Sequence, residues 1–537
     1  MRRIACLSVC VLLVFAVAGC GQKTPELAKT AAPATTTQAP APSAASATSQ
    51  APTEAQRAPA GQAAGTGSQA EPAAAAGGDD TRALSLANKP WKGDFNQMLE
   101  RKLIRVLVPY SRTLYFNDKG EERGLTAATV RDFEAWVNKK YRKDKRPVTV
   151  MIIVTTRDHL LPGVADGLGD IAAGNITVTE SRLKLVDFYA PDNQPLHAEL
   201  VVAGAGIPAL TSADDLSGKT VSVRASSSYF ESLTALNQRL ARMKKAPVTI
   251  QKLPDALEDE DILEMVNAGI LGITVVDDWE ANLWATILPN VKVYPDLAVR
   301  SGAKIGWAIR KGSPELAAAI EDFRENFLVK QGVTAYRLAM YAKRFKQIHN
   351  PVKGEDEKRF EATKALFFEY GAKYGFDPVM LAAQGYQESR LNQNAKSHVG
   401  AVGVMQLMPA TGKELGVGDI RLVEPNIHAG ARYMDQLMER YFKDAKFNEQ
   451  NRTLFAFAAY NAGPGRIQQM RKLAESRGLN PDVWFNNVEV VTAEKVGMET
   501  TTYVRNIYKY YAAYKLSLAA MEKRRAAAQQ VAPTTGP

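Results

Sequence analysis

A chain of 537 residues with a formal net charge of +10 has room for about three ordinary domains, and the charge is modest for that length. No zinc-finger spacing, RNA-binding motif or dense basic helix accompanies the positive balance, so no nucleic-acid partner is expected. The three cysteines (Cys6, Cys10 and Cys20) all lie in the first twenty residues, and the five histidines show no ligand spacing, so neither a disulfide framework nor a metal or cofactor is expected.

The chain opens with Met1-Arg2-Arg3, an apolar run from Ile4 to Val17 and small residues before Cys20, the pattern of an export signal over residues 1–19. The run is shorter than the roughly 20 apolar residues a membrane-spanning helix needs. Val17-Ala18-Gly19-Cys20 resembles a bacterial lipobox, which implies a lipid on Cys20. Gly21 stands where an aspartate would imply inner-membrane retention, so the resemblance implies a lipid anchor in the outer membrane, facing the periplasm. With Cys6 and Cys10 removed and Cys20 acylated, no disulfide can form. Between Leu27 and Leu84 there is no Val, Ile, Leu, Met or aromatic residue. Such a segment buries nothing to offset the entropy of ordering, so residues 20–93 are expected to be the lipidated cysteine and a disordered tether. The stretch from Leu27 to Leu84 would reach roughly 40 Å as a coil and about 170 Å extended.

Over residues 94–350 short apolar strands alternate with helical patterns. Leu103 to Val108 and Val148 to Val154 read as strands. Leu125 to Tyr141 reads as an amphipathic helix with Val130, Phe133, Trp136 and Val137 on one face, and a further helix is expected from about Asp158 to Leu168. A second set, Lys219 to Arg224 and Gly272 to Asp277, precedes a return strand at Lys304 to Ile309. This alternation predicts an α/β sheet with mostly parallel strands. Gly169-Asp170-Ile171-Ala172-Ala173-Gly174, Ile176-Thr177-Val178-Thr179-Glu180-Ser181-Arg182 and Val186-Asp187-Phe188 resemble periplasmic solute-binding proteins of the polar amino acid type. The resemblance implies two lobes closing on an amino acid or a wall-derived peptide. Arg182 would grip a carboxylate with its planar fork, Thr177 would add a hydrogen bond, and Asp277 would meet an amino group. The structural alternative pairs Arg182 with Asp187 or Glu180. Tyr110 to Phe116 lacks the family's proline-bearing turn, which leaves the ligand open.

Residues 351–520 read as mostly helical. Asp377 followed by Pro378 is a helix start, with a side-chain acceptor at the cap and a proline in the first turn. Leu381, Gln384, Gly385 and Glu388 then share a face, and Gly385 is expected to leave room beside the carboxyl group. From Ser389 to Lys413 there is no Asp or Glu, while Val402, Val404, Met405, Leu407 and Met408 supply an apolar neighbourhood. Partial burial without a cation raises a carboxyl pKa, as an acid catalyst near neutral pH requires. A lone acid also weighs against the carboxylate pair of ordinary glycosidases. More helices are expected at about Asn426 to Tyr441, Asn451 to Tyr460, Gly465 to Ser476 and Met498 to Leu516, with a disordered tail over 521–537.

Gly385-Tyr386-Gln387-Glu388-Ser389-Arg390, Gly403-Val404-Met405-Gln406 and Ala459-Tyr460-Asn461-Ala462-Gly463, in this order, resemble the soluble lytic transglycosylase domain of bacterial cell-wall enzymes. That resemblance implies a lysozyme-like α fold cutting the MurNAc–GlcNAc β-1,4 bond of peptidoglycan without water. Glu388 would be the catalytic acid and then base, and the substrate's N-acetyl group would stabilise the intermediate. Ser389 would help hold the carboxyl or N-acetyl group, Met405 and Gln406 would line the sugar groove, and Tyr460 and Asn461 would face Glu388 and the sugar. Glu499 would match a late acidic residue with Tyr503 beside it. Val404 departs from the family's usual leucine, and the stretch before Asn426 is short. Lipobox, tether, solute-binding-like domain and catalytic domain together resemble the membrane-bound lytic murein transglycosylase F type. A sensor with a dead wall-docking domain and a hydrolytic muramidase remain as alternatives, the second separated by product chemistry.

Overall fold

The computed structural model describes residues 89–531 apart from Asp144, 191–193 and 329–347. The expected export signal, Cys20 and nearly all of the expected tether lie outside the described residues. Among those residues no helix is long and apolar enough to cross a membrane.

Strand Leu103–Pro109 is buried along its whole length, as a strand covered on both faces must be, and runs parallel to Thr149–Thr155 on one side and Ile171–Thr177 on the other. Arg105 within it is tolerated because Asp170 accepts its guanidinium at 2.8 Å and carbonyls of Lys89, Trp91 and Gly167 take its remaining donors. Ile305–Ile309 and Asp187–Tyr189 complete this five-stranded sheet. Helix Leu125–Tyr141 covers it with Val130, Phe133, Trp136 and Val137, the face its spacing predicted.

The chain leaves this lobe after Tyr189 and re-enters at Ile305, which makes a second lobe between. There His197–Gly204 is flanked antiparallel by Ile273–Asp277 and Val291–Ala303, and Thr220–Arg224 pairs parallel with Thr249–Leu253. The expectation of mostly parallel strands is therefore corrected. Ile305–Ile309 returns from the other lobe and meets Ile171–Thr177 antiparallel, a reversal that no local pattern encodes.

The remainder is helical. Helix Glu449–Ala462 is buried on all sides from Thr453 to Ala459, the mark of a central helix. Around it stand Gly354–Tyr374, Pro378–Ser389, Val423–Tyr441, Pro464–Ser476 and Met498–Val531. The last continues well past Leu516 and through position 521, where a disordered tail was expected to begin, since its Ala, Lys, Arg, Glu and Gln residues are strong helix formers.

The two halves are not separate cores. Leu253, Leu257, Ile262, Met265, Val266 and Leu271 of the second lobe belong to the same apolar cluster as Phe360, Phe367, Leu381 and Tyr514. Helix Asp259–Asn267, in that lobe, is buried throughout although four of its nine residues are acidic. Cations from other elements answer the acids: Arg112 reaches Asp261 at 3.1 Å and Glu264 at 2.9 Å, and Lys509 reaches Asp261 at 3.1 Å and Glu264 at 2.7 Å. Arg505, one turn before Lys509, donates to Glu489 at 2.6 Å and to the Ala256 carbonyl at 2.9 Å.

Candidate active site

Helix Pro378–Ser389 starts where predicted, with the Asp377 carboxylate accepting the Val379 and Met380 amides at 2.7 and 3.2 Å. Its end is forced. Arg390 and Leu391 both take left-handed backbone (φ 55 and 57), which side-chain-bearing residues adopt only when held there. Asp356 does the holding, accepting the Tyr386 hydroxyl at 2.7 Å and Arg390 Nε at 3.1 Å. Burial opposes ionisation of Asp356, yet hydrogen bonds from Tyr386, Arg390 and Arg359 outweigh it and keep that carboxyl below its ordinary range. Gly385 packs against Phe367, Leu391 and Val404, to which a Cβ would come within 3.0–3.2 Å. Its lack of a side chain serves close packing rather than making room beside the carboxyl group.

Glu388 is half-buried, and Tyr503, far along the chain on helix Met498–Val531, donates its hydroxyl to Glu388 Oε1 at 2.5 Å. Gln384, one turn before Glu388 and fully buried, approaches the same hydroxyl with Nε2 at 3.4 Å. Burial, then the charge of Glu388 and its hydrogen bond, raise the Tyr503 pKa well above the usual phenol value. The phenol therefore stays protonated and remains a donor at any physiological pH.

Below Glu388 the loop of residues 392–408 is clamped from three helices. Ser389 Oγ donates to the Val404 carbonyl at 2.8 Å, the Tyr460 hydroxyl donates to the Met405 carbonyl at 2.6 Å, and Asn426 accepts the Met405 amide at 2.8 Å while donating to Val402 and Ile420. Gly403 has φ +81, and a Cβ there would lie 2.3 Å from the Asn426 amide nitrogen, so glycine is required twice over. Gln406, also left-handed (φ 47), donates to the Gly403 and Ala395 carbonyls at 2.8 and 3.2 Å.

These contacts revise several expected roles. Ser389 directs its hydroxyl to the loop rather than to the carboxyl group. Met405 is wholly buried against Gly430, so its side chain is core and not groove wall, and its contribution is the carbonyl that Tyr460 grips. Asn461 accepts the Thr500 hydroxyl at 3.0 Å and stays partly exposed, while Glu499 is exposed one turn before Tyr503 on the same helix face. The sequence puts Gln384 on the Glu388 face without a role and marks Asn426 only as a helix start. An amide on an apolar helix face was the available signal for both.

In the N-terminal half, Arg182 donates to the carbonyls of Thr177 (2.9 Å) and Ser226 (3.0 Å) and lies 3.7 Å from Glu231. Its ionic partner is thus neither Asp187 nor Glu180. Thr177 is buried and accepts the Ser228 hydroxyl at 3.2 Å. With Arg157 and Arg224 these residues line a cleft of about 290 Å³. Asp277 is bound instead by Asn175 from the other lobe at 2.8 Å, and its second oxygen is buried without a hydrogen-bond partner. Burial first, then the charges of Glu199 and Asp259, push its carboxyl up to about 7. A carboxyl raised in the fold takes up protons on folding, so its ionisation erodes stability as pH climbs from about 4 to about 7. Asp277→Asn keeps the acceptor for Asn175 and removes that loss. Its melting temperature is expected to rise relative to wild type as pH increases through this window, towards a gain of roughly 4 kcal/mol above it. Thermal melts at pH 4, 6 and 8 check this, and a pH-independent difference would contradict it.

Comparisons with known proteins agree with this division. Residues 107–331 match the family of bacterial extracellular solute-binding proteins, family 3, and residues 365–482 match the transglycosylase SLT domain. The chain is 29% identical over 436 residues to the membrane-bound lytic murein transglycosylase F of Ectopseudomonas mendocina (strain ymp), covering 76% of this chain and 83% of that protein. It is 29% identical over 379 residues to the protein of the same name from Desulfosudis oleivorans, covering 66% and 79%. Among solved structures, an ancestral arginine-binding protein bound to arginine is 22% identical, covers 45% of this chain and 98% of its own, and superposes with a TM-score of 0.37. With a match to the family 3 solute-binding proteins followed by one to the SLT domain, and with similarity extending over most of its length, the chain resembles the membrane-bound lytic murein transglycosylase F proteins.

Proposed function

We propose that this protein cleaves the MurNAc–GlcNAc β-1,4 bond of peptidoglycan non-hydrolytically, leaving 1,6-anhydro-MurNAc ends, in remodelling or recycling of the wall. The observation that carries this reading is the half-buried Glu388, held by the Tyr503 hydroxyl at 2.5 Å above a loop pinned by Ser389, Tyr460 and Asn426. Protonated Glu388 gives its proton to the glycosidic oxygen as the bond from C1 breaks and the GlcNAc hydroxyl departs. The carboxylate so formed takes the proton of the MurNAc 6-hydroxyl as that oxygen attacks C1. The proton count closes, no water is consumed, and nucleophile and electrophile lie on one sugar. Tyr503 orients the carboxylate throughout and exchanges no proton. In this reading Gln406 and Asn461 supply polar contacts to the sugars, and the exposed Glu499 adds a carboxylate beside them.

The experiment is mass analysis of muropeptides released from purified peptidoglycan. Products lighter by one water than their hydrolytic counterparts support the reading, and reducing ends would make the protein a muramidase. Tyr503→Phe removes one hydrogen bond to a charged group, so kcat is expected to fall about 10- to 100-fold with KM little changed. An unaltered kcat would show that the phenol does not orient the acid.

Placement and control belong to the same proposal. Acylation of Cys20 would hold the enzyme at the periplasmic face of the outer membrane, and mass analysis of the membrane-bound protein tests it. An amino acid or wall-derived peptide in the N-terminal cleft would act through helix Asp259–Asn267. Arg224 of the cleft meets Asp259 at 2.7 Å, Arg157 meets Glu258 just before the helix at 2.8 Å, and the helix meets Lys509 on the helix that carries Tyr503. The connecting segment Lys343 to Glu355 is a second candidate link, suggested by the fusion of the two domains, and its first part lies outside the described residues. Equal turnover with and without such ligands would sink the regulatory reading.

A further inference from the structure

A second cavity, of about 420 Å³, opens between the second lobe and the helical half. Lys252, Leu253 and Pro254 form its wall on the lobe side. The facing wall comes from the starts of two of the helices that carry the candidate catalytic groups and from the middle of the third. Asp377 and Met380 stand at the start of the helix bearing Glu388, Glu449 and Gln450 at the start of the helix bearing Tyr460, and Tyr508, Tyr511 and Lys515 follow Tyr503. Along those helices the cavity-lining residues lie about 8–18 Å from the active-site residues, at 1.5 Å per residue.

Its chemistry is specific. Leu253 and Met380 give an apolar floor, and the rings of Tyr508 and Tyr511, with centroids 5.7 Å apart, form a side on which a sugar or peptide plane can lie. The Asp377 carboxylate is already engaged, capping its helix and accepting the Tyr511 hydroxyl at 3.2 Å. Lys252 and Lys515 are exposed on opposite walls. Among the described residues neither joins an ion pair, and their ammonium groups rest only near the Phe230 and Tyr511 rings at 5.2 and 5.8 Å. Two uncommitted cations across an aromatic cavity that also carries the exposed Glu449 carboxylate suit a small body bearing a carboxylate together with hydrogen-bond donors of its own.

We propose that this interdomain cavity is a binding site, separate from the N-terminal cleft and from the Glu388 groove, for a small carboxylate-bearing fragment of peptidoglycan. The source of the ligand rests on the catalytic reading above, and the cavity does not. Two wall fragments share this chemistry: a saccharide with a lactyl carboxylate and a free stem peptide. Because rigid helices join the cavity to Tyr503, Glu388 and Tyr460, its occupant is placed to report released fragments to the active site.

The test is calorimetry on the mature full-length protein carrying Glu388→Gln and Arg182→Ala, which silence the groove chemistry and the N-terminal cleft. The probes are peptide-free GlcNAc–1,6-anhydro-MurNAc and the dipeptide L-Ala-γ-D-Glu. Saturable binding of either probe is expected, naming the source. Adding Lys252→Glu with Lys515→Glu is expected to weaken it at least about tenfold, and salt is expected to weaken it as well. Should the charge reversals disturb folding in a circular-dichroism melt, Lys252→Met with Lys515→Met keeps the stems and carries the same test. Binding that ignores these substitutions, or no binding of either probe, overturns the proposal. Anhydro products from wild type without probe binding defeat the cavity alone, whereas probe binding without anhydro products defeats the catalytic reading alone.

Discussion

Glu388→Gln is expected to lower the release of anhydro-muropeptides by about 10³-fold or more, with the fold intact. Positioned proton transfer contributes about 10²–10⁴-fold, and here one group serves in both directions, as acid on the leaving oxygen and base on the attacking one. The amide preserves shape, and its oxygen still accepts the Tyr503 hydroxyl, so the orientation seen at 2.5 Å survives while the transferable proton is lost. The residue is only half-buried, so melting should shift little. Rates on peptidoglycan paired with thermal melts decide the matter. Retention of more than about a tenth of wild-type activity would place the proton elsewhere.

Lys509→Met is expected to produce the largest loss of stability, about 3–5 kcal/mol, because removing one partner strands buried charge while the methionine still fills the space. Lys509 is 1% exposed and serves Asp261 and Glu264 together. Burial alone would raise both acids. For Asp261 the charges of Lys509, Arg112 and Arg505 reverse that and hold it well below its ordinary range, and for Glu264 those of Arg112 and Lys509 outweigh burial and lower it. Depressed carboxyls stabilise the fold above their unfolded pKa and lose that contribution as pH falls through their folded values. The wild type should therefore weaken in acid, and the variant should show less of this acid-dependent loss. Denaturant unfolding at pH 7 and at about pH 3, below the unfolded carboxyl pKa values, measures both. A loss below about 1 kcal/mol at pH 7 would mean that Arg112 alone satisfies the pair. Activity should fall as well, since the helix that loses its anchor carries Tyr503.

Local pattern carried much of what was legible in the chain. Asp377 and Pro378 specify a helix start through an acceptor and a preset φ, which are properties of adjacent residues. The Val130, Phe133, Trp136 and Val137 spacing defines a buried face on Leu125–Tyr141 without reference to anything else in the molecule. The three motifs around Glu388, the loop after it and Tyr460 are likewise short enough to be read in place, and the structure brings them together.

Long-range choices were not legible. The Tyr503 hydroxyl on Glu388 joins positions 115 apart, and the Lys509–Glu264 bond joins positions 245 apart. Helix Asp259–Asn267 looks like a solvated acidic face until Arg112 and Lys509 arrive to neutralise it. Met405 reads as groove lining by motif but lies in the core, because the clamp on its carbonyl turns the side chain inward against Gly430. Adjacent residues determine where a helix begins and which face is apolar, since those follow from φ, ψ and spacing alone. Which distant charge or hydroxyl meets which acid is decided only when packing removes water from both, and that is where this protein acquires its oriented acid and its joined halves.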